Sequence, residues 1–139
     1  MNDLIKMGIQ IIEAQPFSVL LGAKVTAVEG DKVEISLEIR DELKQQNGFV
    51  HGGVLSYLAD NALTFSGALA LASPVVTSEM KVNYVRPAIG EILIVRAKTA
   101  HKGKSQAVTQ CEVFVVKDGV EKLCLLGQGT IVKTDAALV

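Results

Sequence analysis

Asp60 lies in the stretch HGGVLSYLADNALTFSGALALA, residues 51 to 72, and nothing cationic stands near it. If that stretch is a helix, its neighbours at three and four residues are Ser56, Tyr57, Leu63 and Thr64. An ionised carboxylate in such surroundings must find donors, reach water or be retained for chemistry. Gly52 and Gly53 stand where the helix must begin. Glycine lets a ligand approach the backbone closely, and the first amides of a helix lack internal acceptors and sit at the positive end of its dipole. A base and an oxyanion donor are the minimum set for acyl-transfer hydrolysis. The structural alternatives are an Asp60 held by Ser56, Thr64 or a partner chain, and a glycine pair that only turns a loop into a helix.

Spacing adds a constraint. Gly52 and Asp60 are eight residues apart, or ~12 Å along one helix, whereas both must come within ~3 Å of one reacting group. A single chain cannot supply both. Two such helices packed antiparallel would bring the start of one beside the middle of the other, giving two composite sites about a twofold axis.

The elements that must position these residues follow from periodicity. DLIKMGIQIIE, residues 3 to 13, has helical spacing at Leu4, Ile5, Ile9 and Ile12, and Pro16 marks the exit of this short outer helix. KVEISLEI, residues 32 to 39, alternates as a half-buried strand, joined to AKVTAVE through a Gly30-Asp31 turn. Beyond Pro74 four strands are predicted, in VVTSEMKVNYVR, EILIVRAKTAHK, SQAVTQCEVFVVK and VEKLCLLGQGTIVK, with Asp118-Gly119 a type I′ hairpin signal. Short connections make the sheet mostly antiparallel. The apolar helix must be enclosed, which gives an α+β fold: one long central helix wrapped by a curved antiparallel sheet. One sheet face leaves part of the helix uncovered, and Gly53, Ala59, Ala62, Gly67 and Ala68 are small enough for close approach, so self-association is expected.

Composition narrows the function. The 139 residues suit one domain, residues 1 to 139. With 14 basic against 15 acidic residues and no basic run, nucleic acid is excluded as the main partner. Ser56, Asp60, Asn61, Thr64 and Ser66 interrupt the most apolar stretch, so no membrane partner is expected. Cys111 and Cys124 lack metal spacing and read as reduced core residues. With no export signal at the N-terminus, they point to the cytoplasm.

NGFVHGGVLSYLADNA, with Asp60 nine residues after His51, resembles the PaaI-like branch of the hotdog-fold acyl-CoA thioesterases. VVTSEMKVNYVRPAIGE matches that family's strand ending in aromatic-x-x-Pro-x-x-Gly, and the resemblance covers nearly the whole chain. It implies a dimer that pairs into a tetramer, and hydrolysis of an acyl-CoA substrate without metal or organic cofactor. It also implies that the Gly52 amide polarises the thioester carbonyl, that Asp60 of the other subunit activates water or attacks directly, and that Thr77 orients the water or the carboxylate. Members often carry an Asn six residues before the His; here that position is Gln45, and Asn47 is the nearest Asn, so either could donate to the carbonyl. His51 suits an orienting or capping role better than general base. Gly53, Leu55 and Leu58 border a candidate acyl pocket, for an aromatic group such as phenylacetyl or for a medium chain. Arg86, Lys102 and Lys104 could meet the coenzyme A phosphates or form a solvated face; His101 belongs to the surface. Two rivals remain: a hotdog dehydratase or hydratase, which the HGG-to-Asp pattern disfavours, and a non-catalytic acyl-thioester binding module.

Overall fold

A computed structural model describes residues 2–135. Asn2 caps the first helix, its side chain accepting from the Ile5 amide at 2.8 Å, and α1 runs Asp3–Ala14. Gln15, held extended before proline, ends it. Pro16 does more than mark this exit. Its fixed φ also suits a first helical position, and it opens a second helix, α2, Pro16–Leu21, which periodicity missed because six residues are too few to show a face. Gly22, at φ 82°, closes α2.

The strands are β1, Lys24–Glu29; β2, Lys32–Glu38; β3, Val75–Tyr84; β4, Ile92–Lys102; β5, Gln106–Lys117; and β6, Val120–Lys133. The central helix, α3, spans Gly52–Leu71. All six strands form one antiparallel sheet in the order β1-β2-β4-β5-β6-β3, so β3 pairs with β6 rather than with its sequence neighbour β4. β1 and β3 are its two edges. Asp118 and Gly119 both have positive φ, as a type I′ hairpin requires.

The core lies between α3 and the concave face of the sheet. Leu58 and Leu63 of α3 meet Ile35, Leu93, Val95, Val113, Leu125 and Ile131, all fully buried; each such side chain contributes ~1.5–3 kcal/mol. This is the hotdog architecture. By length and composition α3 could cross a membrane, yet most of it is buried by its own sheet. Three of its small residues, Ala59, Ala62 and Gly67, serve that contact. Ala59 and Ala62 are fully buried, and a Cβ added at Gly67 would stand 2.6 Å from Ile131. What the sheet leaves less covered is a stripe at helical spacing: Gly53, Ser56, Asp60, Thr64 and Ala68.

Candidate active site

The loop before α3 is pinned at its end: the His51 amide donates to the Leu43 carbonyl at 2.8 Å and the Val50 amide to the Ala88 carbonyl at 3.1 Å. His51 then caps the helix. Its Nδ1 accepts from the Gly53 amide at 2.8 Å and its carbonyl accepts from the Val54 amide at 2.9 Å. An accepting Nδ1 places the ring proton of the neutral imidazole on Nε2. The Gly52 amide has no acceptor among the described residues, so one helix-start N–H is left for a ligand. Neither glycine has positive φ; both sit where a side chain would be crowded. A Cβ at Gly52 would stand 3.2 Å from the Tyr84 ring, and one at Gly53 would stand 3.0 Å from His51 Nδ1.

Asp60 lies two turns further along α3, on the uncovered stripe and exposed. Thr77 Oγ1, from β3, donates to its Oδ1 at 2.8 Å. Thr64 Oγ1 reaches the Asp60 carbonyl at 2.6 Å, Oδ1 at 3.3 Å and Thr77 Oγ1 at 2.7 Å. Asp60 makes no ion pair and its Oδ2 has no partner among the described residues. One carboxylate oxygen is therefore fixed and the other open, which suits a base or nucleophile better than a structural anchor.

A β-bulge arranges this. Thr77 pairs with Ile131 and Glu79 with Thr130, leaving Ser78 unpaired. Thr77 and Tyr84 are seven apart and would face opposite sides of an unbroken strand. The extra residue turns both toward α3: Thr77 reaches Asp60, and the Tyr84 hydroxyl donates to the Gly52 carbonyl at 3.1 Å and meets Ser56 Oγ. Sequence reasoning placed Tyr84 only within a motif and passed over Ser56 as a site residue; the signal was there in the slip of alternation between Thr77 and Met80.

The other expected residues divide. Leu55 and Arg86 join Gly52, Phe49, Tyr84 and Pro87 around a cleft of about 400 Å³. Gln45 turns its side-chain oxygen onto the Asn47 amide, within its own loop, and Asn47 is exposed at the loop tip. The structure does not bring Arg86, Lys102 and Lys104 together in one chain. Lys102 lies across the sheet from Thr77, through Ala107 and Ile131, at the opposite end of β3 from Arg86. A larger hollow of about 900 Å³ lies on the outer face of the sheet, away from both clusters. Its Arg96 is engaged already, forked onto Glu121 at 2.7 Å and bonded to Glu34 at 2.8 Å.

An apolar helix wrapped by an antiparallel sheet, with a capped glycine start and an acid two turns on, defines a hotdog-fold thioester hydrolase. The chain belongs to the Thioesterase superfamily, whose family model matches residues 47–122. It is 27% identical over 113 residues to the 1,4-dihydroxy-2-naphthoyl-CoA hydrolase of Listeria monocytogenes, covering 80% of this chain and 89% of that protein. Among solved structures, a thioesterase family protein from Silicibacter pomeroyi superposes with a TM-score of 0.88 at 28% identity, covering 93% and 96% of the two chains. The phenylacetic acid degradation protein PaaI from Thermus thermophilus gives 0.75 at 29% identity, covering 86% and 100%. The fold is of PaaI-like type.

Proposed function

We propose that this thioesterase hydrolyses acyl-CoA esters carrying an aromatic acyl group, at two sites each shared between two copies of the chain. The observation that carries the chemistry is Asp60, with Oδ1 held by Thr77 and Oδ2 open. The aromatic preference is supported by the walls of the cleft beside Gly52, where Phe49, Leu55, Tyr84 and Pro87 present flat and apolar surface, and by the naphthoyl-CoA named for the Listeria relative.

The shared site is supported by β3. It is an edge strand whose outer side has no partner among the described residues, and such an edge is a template for another strand. If β3 pairs antiparallel with its own copy about the Met80–Lys81 peptide, Thr77 comes opposite the Tyr84 of the partner. The Asp60 end of one helix then meets the Gly52 end of the other. The same step brings Lys102 and Lys104 of one chain toward the Arg86 end of its partner.

In this arrangement the Gly52 amide donates to the thioester oxygen, and Asp60 Oδ2 of the other subunit takes a proton from water as the water attacks the carbonyl carbon. The tetrahedral oxyanion stays on the amide, where a preorganised donor contributes ~3–4 kcal/mol. Collapse breaks the carbon–sulfur bond, and the Asp60 carboxyl returns its proton to the departing coenzyme A thiolate, leaving free acid and thiol. The test is thiol release from phenylacetyl-CoA and benzoyl-CoA against octanoyl-CoA, followed by one turnover in oxygen-18 water. Faster aromatic turnover with label in the first acid released is expected. A preference for octanoyl-CoA would overturn the aromatic reading, label in Asp60 would replace water attack by direct attack, and binding without thiol release would leave a binding module.

A further inference from the structure

Gly52 poses a difficulty for catalysis. A Cβ at Gly52 would stand 3.2 Å from the Tyr84 ring, so any side chain there crowds the phenol, and glycine, which does not, is the residue least able to hold its own peptide planes. An oxyanion donor has to be fixed before the reaction begins. We infer that Tyr84 is a positioning residue for the Gly52 amide, holding it through the Gly52 carbonyl, with Ser56 directing the Tyr84 hydroxyl. The inference deepens the proposed reading and rests on it, since it assumes that the Gly52 amide meets the thioester carbonyl.

The hydrogen bonds define the device. Two peptide planes flank Gly52. In the first, the His51 carbonyl is tied to the Val54 amide at 2.9 Å. In the second, the Gly53 amide is tied to His51 Nδ1 at 2.8 Å and the Gly52 carbonyl to the Tyr84 hydroxyl at 3.1 Å. The Gly52 amide belongs to the first plane and can swing only by rotation about ψ of His51 and φ of Gly52, which strains these bonds. Each hydroxyl has one proton. Ser56 donates to the Tyr84 oxygen and Tyr84 donates to the Gly52 carbonyl, the arrangement in which neither proton is wasted. Ser56 stands four residues after Gly52 and four before Asp60 on the uncovered stripe, so the phenol is directed from the helix whose start it holds. The same ring that crowds any side chain at Gly52 thus offsets the looseness of the glycine.

Tyr84→Phe removes the hydroxyl and keeps the ring. Turnover should fall about tenfold, part of the 10²–10³ lost when an oxyanion donor is removed outright, while KM changes less than about twofold and the thermal midpoint is kept. A direct readout uses [carbonyl-¹³C]phenylacetyl-CoA bound to Asp60→Asn, whose turnover should be slowed about 100-fold or more, and isotope-edited infrared difference spectra. The bound carbonyl should absorb at lower frequency than the free ester, and adding Tyr84→Phe should remove at least about half of that displacement. Ser56→Ala, which leaves the ring untouched, should act in the same direction and serves if Tyr84→Phe does not fold. A displacement unchanged by either variant overturns the role of Tyr84 and leaves the Gly52 reading standing. No bound band, or no displacement, in Asp60→Asn alone overturns the Gly52 reading itself.

Discussion

Thr77 Oγ1 donates to Asp60 Oδ1 at 2.8 Å, across the contact between β3 and α3. Seventeen residues separate them in sequence, and the bulge at Ser78 gives the hydroxyl its direction. The bond leaves Oδ2 open toward solvent, so the two residues can be tested separately.

Asp60→Asn keeps an oxygen for Thr77 and removes the proton acceptor. Turnover should fall by about 100-fold or more, the scale of a lost general base, with the urea midpoint unchanged. Near-normal turnover in the folded variant would return Asp60 to a structural role.

Thr77→Val preserves shape and removes the donor. Turnover should fall about tenfold with KM nearly constant, because the lost contact acts on a group used in the transition state. Thr77→Ser, which keeps the hydroxyl, should recover most of it. Equal losses in both variants would assign the effect to packing.

The shared site is tested by mixing. Asp60→Ala in one chain is combined with Gly52→Pro in another, the second also carrying Tyr84→Leu because a Cβ at Gly52 stands 3.2 Å from the tyrosine ring. Each variant alone should be nearly inactive. After joint unfolding and reassembly, about half the dimers are mixed and each has one intact site, so activity should return to about a quarter of the wild-type level. With subunit exchange verified, an inactive mixture would place the site within one chain.

Gly67→Ala probes the seam between α3 and β6. The new methyl would stand 2.6 Å from Ile131 Cβ, between two buried residues. Overpacking should cost about 1–3 kcal/mol, read as a lower urea midpoint. A midpoint equal to wild type would mean that the seam relaxes freely.

Burial pushes the Cys111 thiol up to about 12 and the Cys124 thiol up to about 11, from an ordinary 9.0. The unfolded chain therefore ionises first. The stability that these thiols contribute should be complete below pH 9 and drain away as pH rises from 9 toward 11 and then 12. Urea titrations across that range check it. In Cys111→Ala/Cys124→Ala this part of the alkaline loss should disappear.

Periodicity was enough for the strands, because clean alternation such as Val33, Ile35 and Leu37 admits one buried face, and for α3, because a mostly apolar twenty-residue helix must be enclosed. It was not enough for α2, whose six residues carry no full period. Nor did it reveal that β3 crosses to the far edge beside β6, since pairing depends on contacts distant in sequence. Asp60 and Gly52 were legible as oddities of type and place. Tyr84 and Ser56 were not, because an aromatic at a strand end and a serine on a helix are ordinary until the fold brings them into contact. Nor could the sequence show that Lys102 and Arg86 lie toward opposite ends of β3 within one chain, because nearness along the chain says little about which end of a strand a residue occupies.

The pairing of β3 with β6 also bears on synthesis. Thr77 takes its register from Ile131, and the rest of β3 from the strand that runs to Lys133. Helix α3 and β3 are synthesised before β6, and domains fold as units once their parts have emerged. Until β6 arrives, β3 lacks the strand that sets its register, and a slip of one residue would turn the threonine away from the acid. Catalytic competence is thus conferred late, and a nascent chain that stalls before β6 carries every residue of the site without the order that makes them one.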